Sequence, residues 1–438
     1  MTQNVDLLVL PRWIVPVEPL GTVLERHAMA VDQGRIVGIV PLEQARERYR
    51  PAETLELPDK VVMPGLVNAH THAAMSLFSG VADDLPLMEW LQNHIWPAEG
   101  AHVGEQFCED GVRLALAEMV RSGTTCINDM YFFPDVTARV AAEAGVRATV
   151  GLIVLDFPTA WARDADEYIR KGLDLHDAVR EIPLAHSIFA PHAPYTVSDT
   201  PLTRVRRFAN ELGIGVHMHL HETADEIRQS LQQFGKRPWQ RLRELEMLGP
   251  DFVAVHMTQL TDEEIAQAAE YGVHVVHCPE SNLKLASGFA PIGKLITAGV
   301  NVAIGTDGAA SNNDLDLLGE TRTAALVAKA VAGDARTLPA PEALRMATLG
   351  GARALGLDAE IGSLETGKSA DFIAIDLSAP NTQPIYNVIS QLVYAVGREQ
   401  VTDVFVAGRA LMRDRHLLTI DQARALAQAA HWQQKIHA

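Results

Sequence analysis

The chain has 438 residues, of which 47% are hydrophobic and 21% charged, enough for one large globular domain and a smaller one. Its formal net charge of −18 at pH 7 excludes nucleic acid as a partner, because neutralising phosphates takes clustered Lys and Arg. Three cysteines without a Cys-x-x-Cys pair offer no disulfide framework, and no basic leader or apolar run of ~18 residues marks a membrane segment, so a cytoplasmic protein is expected.

Residues 5–62 read as short strands at 6–10, 29–31 and 35–40, with a turn at Asp32-Gln33-Gly34 and a short helix near 42–49. From Pro64 the pattern becomes strand, then helix. Candidate strands fall at 63–69, 123–130, 147–155, 187–190, 213–220, 252–256, 273–277 and 301–305. Helical patterns lie between them, at 111–121, 136–144, 202–212, 262–271 and 293–298. Eight such units predict an α/β fold, a (β/α)8 TIM-like barrel. A doubly wound open sheet fits less well, since no Gly-x-Gly-x-x-Gly follows the first strand. A helical stretch runs from 340 to 354, strands follow at 371–375, 392–396 and 401–406, and a polar helix spans 421–435. The expected organisation is a catalytic barrel at 63–360, with 1–62 and 361–438 pairing into a small β-sandwich domain formed by both termini.

Barrel enzymes carry their chemistry at strand C-termini. His70 and His72 end the first candidate strand and project to one side, because strand side chains alternate. The other strand ends supply His192, His219 with Glu222, His256 and Asp307. His70, His72, His219 and Asp307 form a nitrogen-and-oxygen set suited to one Zn2+, with Fe2+ or Mn2+ as competitors. Within His217-Met218-His219-Leu220-His221-Glu222, His219 is the expected ligand because Glu222 follows as the chain turns off the strand. His217 is then an interior residue, and His221 either supports the site or lies outside it. Glu222 is the expected proton shuttle. His256 is expected to hydrogen-bond the hydroxide, and Asp307 to serve as both ligand and base. The fourth strand ends in Ala190-Pro191-His192 without a Lys, which disfavours a two-metal site bridged by a modified Lys. Cys278 reads as core or as a neighbour of the site.

The segments Pro64–His72, His219–Thr223, His277–Leu285 and Gly305–Gly308 together resemble the amidohydrolase superfamily, in its triazine hydrolase and nucleoside deaminase branch. Ala82–Leu91 and Ile95–Glu99 are similar to the 5-methylthioadenosine/S-adenosylhomocysteine deaminase family. The resemblance spans essentially the whole chain. It implies a zinc-dependent hydrolytic deamination of an adenine nucleoside to the 6-oxo product and ammonia. It further implies Glu99 on the ribose hydroxyls, His192 against the nucleoside, and a homo-oligomer. The family holds the homocysteine carboxylate with Arg residues, for which Arg163 is the candidate here. The alternative on the same barrel is a free-base (guanine or 8-oxoguanine) or triazine amidohydrolase.

Overall fold

The computed structural model describes residues 2–437. A long strand, Tyr49–Pro64, ends one residue before the first barrel strand, Leu66–Thr71. The apolar run expected as a single strand at 63–69 is therefore shared by two sheets. Gly65 makes the crossing possible, since a Cβ there would lie 2.1 Å from Thr125 Oγ1.

Eight parallel strands hydrogen-bond in sequence order, from Leu66–Thr71 to Val302–Ile304. The last returns to the first. Asp307 N–H donates to the His70 carbonyl at 3.1 Å. The Asn68 amide spans the same seam, accepting from Thr306 N–H at 3.1 Å and donating to Thr306 Oγ1 at 2.8 Å. Among the outer helices, Asp262–Tyr271 coincides with its sequence pattern, and Thr261 caps it in a reciprocal box with Glu264. Gly145, Gly213 and Gly272 close three helices in the left-handed conformation that glycine adopts freely.

The two termini interleave in a nine-stranded mixed sheet. Gln3–Ile14 pairs in parallel with Tyr49–Pro64, which pairs antiparallel with Phe372–Asp376. Leu7, Leu55, Phe372 and Phe405 belong to one apolar cluster, with the two phenylalanine rings stacked at 4.4 Å. The strand expected at 392–396 is a correction: those residues fall at the end of the helix Val388–Tyr394 and just beyond it. Asn387 caps that helix by accepting from Ser390 N–H at 3.0 Å. Val388, Ile389, Leu392 and Val393 then bury one helical face, which outweighs the strand preference of valine, isoleucine and tyrosine. Among the described residues, no helix is long and apolar enough to cross a membrane.

Candidate metal centre and active site

The first, fifth and eighth strands bring His70, His72, His219 and Asp307 together at one end of the barrel. One ligand atom from each lies within 4.8 Å of the others. The ring tautomers are set from outside. His72 Nδ1 faces the Met130 carbonyl at 2.5 Å, and His219 Nδ1 faces the His192 carbonyl at 2.8 Å. A carbonyl only accepts, so each Nδ1 carries the proton and each Nε2 points a lone pair inward. These two Nε2 atoms are 3.2 Å apart, and His219 Nε2 is also 3.2 Å from His70 Nε2. Asp307 Oδ1 lies 3.3 Å from His70 Nε2 and 3.2 Å from His72 Nε2. Lone pairs and a carboxylate crowded this closely repel one another unless a cation sits among them, so the donor set fits a divalent metal.

Burial lowers His70 to about 4 and pushes His219 well below the ordinary range, which favours the neutral rings that ligation requires, whereas in His72 burial is outweighed by the Asp307 carboxylate, which raises that ring. Burial alone would raise Asp307, but its close contacts with His70 and His72 hold its carboxyl well below the usual range. Asp307 Oδ2 accepts from Ser281 Oγ at 2.6 Å and Ser311 Oγ at 3.0 Å, which fixes the carboxylate plane. His70 Nδ1 lies 3.0 Å from His217 Nε2, so His217 supports the ligand from the barrel interior.

His256 Nδ1 faces Asn282 Oδ1 at 2.8 Å, which turns its Nε2 towards Glu222, 3.7 Å away. Glu222 Oε1 accepts from Ser287 Oγ at 3.2 Å, and burial raises its carboxyl above the ordinary value. His221, His256 and Asp307 have φ of 54°, 76° and 60°, a left-handed backbone that costs roughly 1–3 kcal/mol each for such residues. That strain sits where the chain leaves the fifth, sixth and eighth strands and re-aims its side chains. His221 turns away from the centre: its Nε2 accepts from Trp239 N–H at 3.0 Å and so anchors the helix Pro238–Glu244. Cys278 is buried in an apolar cluster with Val276 and Ala303.

A cavity of about 320 Å3 opens over the cluster and is lined by Glu99, His192, Glu222, His256 and Asp307, among others. His192 Nδ1 lies 3.0 Å from Thr196 Oγ1. Glu99 accepts from Tyr131 OH at 2.8 Å, and burial pushes its carboxyl up to about 7. Arg163 does not line the cavity. Its side chain is 82% exposed and pairs with Glu167, in the first turn of the following helix, at 2.8 Å. Tyr131, Ser287 and the aromatic pair Trp96 and Phe157 escaped the sequence reading. They come from loops and from the irregular helix after residue 90, where no periodic signal marks them.

The chain matches the amidohydrolase family over residues 61–411, and it belongs to that family. Its relatives include the 5-methylthioadenosine/S-adenosylhomocysteine deaminase of Saccharophagus degradans, 52% identical over 99% of this chain and 97% of the relative. The protein of the same name from Teredinibacter turnerae is 49% identical over 100% and 99%. The zinc-bound crystal structure of an adenosine deaminase from Xanthomonas campestris superposes with a TM-score of 0.99, at 55% identity over 100% of both chains. A triazine hydrolase variant, with a TM-score of 0.91 at 23% identity over 97% of this chain and 99% of that one, shares the fold.

Proposed function

We propose that this protein is a zinc-dependent aminohydrolase that converts the adenine of 5′-methylthioadenosine, S-adenosylhomocysteine or both to the 6-oxo base, releasing ammonia. The observation that carries the reading is the placement of the buried carboxyl of Glu222, beside His256, in the same cavity as the His70–His72–His219–Asp307 set. The names of the full-length relatives support the substrate class.

When bound, the ion supplies Lewis acidity and lowers the pKa of water from roughly 15.7 towards 7. The side chains do the rest. In the reaction a water oxygen bonds to C6 of the purine and the C6–N6 bond breaks. Glu222 delivers a proton to the adjacent ring N1, so the charge displaced into the ring is neutralised as it forms. A carboxyl raised by burial holds that proton closer to neutral pH than an exposed one. His256, its Nδ1 proton held by Asn282, presents Nε2 as an acceptor that orients the attacking water. Glu222 takes up the first water proton in place of the one given to N1, Asp307 collects the second and passes it to N6, and the protonated N6 leaves as ammonia. Glu99 accepts the two ribose hydroxyls with charge assistance, and His192 packs against the nucleoside. Arg163 has no part in this reading. The same reading makes the protein a cytoplasmic homo-oligomer, which light scattering and cell fractionation test.

The test is an ultraviolet assay of zinc-loaded protein with methylthioadenosine, S-adenosylhomocysteine, adenosine, adenine and guanine, with ammonia measured in parallel. Loss of the adenine chromophore with a nucleoside, matched by ammonia in equal amount, is the expected result. Turnover of a free base but of no nucleoside would overturn the reading and leave an amidohydrolase of another substrate class.

A further inference from the structure

We infer that the cavity accepts adenine nucleosides with a neutral, apolar 5′ substituent and discriminates against a 5′ tail that carries a carboxylate or phosphate. This rests on the nucleoside reading above and narrows it to methylthioadenosine-like substrates over S-adenosylhomocysteine and nucleotides.

The argument begins with charge. Neither Lys nor Arg lines the cavity, whereas Glu99, Glu222 and Asp307 all do. Arg163, Lys171 and Lys284, none of which lines the cavity, are committed to other partners. Arg163 pairs with Glu167 at 2.8 Å. Lys171 donates to the Trp161 carbonyl and lies over the Trp161 ring at 4.6 Å. Lys284 pairs with Asp83 at 2.5 Å. A tail carboxylate or phosphate would meet no Lys or Arg on this wall and would give up hydration without compensation.

The shape of the wall points the same way. In the proposed pose the base sits at Glu222 and the ribose on Glu99, so the 5′ substituent starts beside the helix Trp96–His102, which carries Glu99. Trp96 on that helix packs beside Phe157, with tilted rings and centroids 6.0 Å apart, and Leu155 and Val103 line the same cavity. Phe157 is 36% exposed, which puts this pair at the mouth. Two aromatic rings and two aliphatic side chains match a thioether and its alkyl group, through burial and sulfur–aromatic contact. Beyond the single indole N–H of Trp96, they offer an α-amino acid no hydrogen-bonding partner.

The experiment compares kcat/KM of the metal-loaded protein for 5′-methylthioadenosine, 5′-butylthioadenosine, S-adenosylhomocysteine and adenosine 5′-monophosphate, read by ammonia release. The butyl compound matches the length of the homocysteine tail without its charges. The two alkylthio nucleosides are expected to react at similar efficiency. S-adenosylhomocysteine is expected to be about tenfold poorer or worse, equivalent to ~1.4 kcal/mol, with the loss in KM and the monophosphate poorer still. In Phe157→Arg, a change at the exposed mouth, the ratio is expected to shift towards S-adenosylhomocysteine. Equal use of methylthioadenosine and S-adenosylhomocysteine would overturn the inference while the deaminase reading stands. A butyl compound as poor as S-adenosylhomocysteine would make length, not charge, the determinant and overturn it as well. An unchanged ratio in Phe157→Arg counts against it equally. Silence on every nucleoside would instead bring down the underlying reading.

Discussion

Glu222 and Glu99 are two carboxyls in one cavity, both raised by burial, and the proposed chemistry uses that shift in opposite ways. Glu222 must carry a proton to the purine ring, so a raised value serves it. In Glu222→Gln the side chain keeps its size and its contact with Ser287 but cannot relay a proton. Turnover is expected to fall by about 10²–10⁴, the usual contribution of general acid–base catalysis. Metal content, read by atomic emission, should stay at the level of the unaltered protein, and parallel loss of metal would contradict the assignment. Glu99 must accept hydroxyl protons, so it acts as the ionised form. Its value of about 7 lies above that of an exposed carboxyl, so the group is protonated below pH 7 and ionised above. KM for nucleosides is therefore expected to fall as pH rises through about 7, while KM for free adenine stays flat across the same window. Glu99→Gln should remove the inflection, and an inflection that survives in that variant would assign it to another group.

The turn that carries Glu222 is an element held from behind by a second carboxyl. Glu226, in the first turn of the helix Ala224–Phe234, accepts from the backbone N–H of His221 at 2.9 Å and of Glu222 at 2.8 Å. Burial raises Glu226 to about 8, and both of its oxygens face donors. Glu226→Gln replaces one acceptor oxygen with an NH2 group that meets an N–H head-on. The expected cost is about 1–3 kcal/mol in urea unfolding, with a fall in kcat because the backbone of Glu222 is no longer fixed. Unchanged kcat would show that the left-handed turn at His221 positions Glu222 without help. This element also marks how far the sequence could be read. His70, His72, His219 and Asp307 were legible because each ends a strand whose period-two or apolar pattern is strong. Glu226, Tyr131 and Ser287 were not, because their roles depend on partners in other elements. Arg163 does not line the cavity, because Glu167, in the first turn of the helix that begins at Ala165, takes its charge. The segment 392–396 misled because its β-branched and aromatic residues read as a strand until Asn387 is seen to cap a helix.

At the scale of the molecule, the barrel and the terminal sheet are joined at the base by a buried ion pair remote from the metal ligands. Arg147 opens the third barrel strand, Arg147–Val154, and forks onto Asp371, with Nε 3.1 Å from Oδ2 and an NH2 nitrogen 3.3 Å from Oδ1. Asp371 Oδ1 also accepts from Ala407 N–H at 2.8 Å and from Ser369 Oγ at 2.7 Å, so one carboxylate links the barrel to two further points of the C-terminal segment. A bidentate pair whose remaining lone pairs are filled tolerates burial; half of such a pair does not. Asp371→Ala leaves a buried guanidinium without a counter-charge and two donors without an acceptor. The expected loss is about 3–5 kcal/mol in denaturant unfolding, against far less for Arg147→Met with Asp371→Leu, which removes both charges together. If the pair acts only as a fastener, kcat/KM of the folded fraction of either variant should match that of the unaltered protein, because no group in the cavity touches Arg147 or Asp371. A single variant that is stable but slow would instead mean that the terminal sheet sets the geometry at the far end of the barrel, through the strand that runs from Arg147 up to the cavity wall at Ile153.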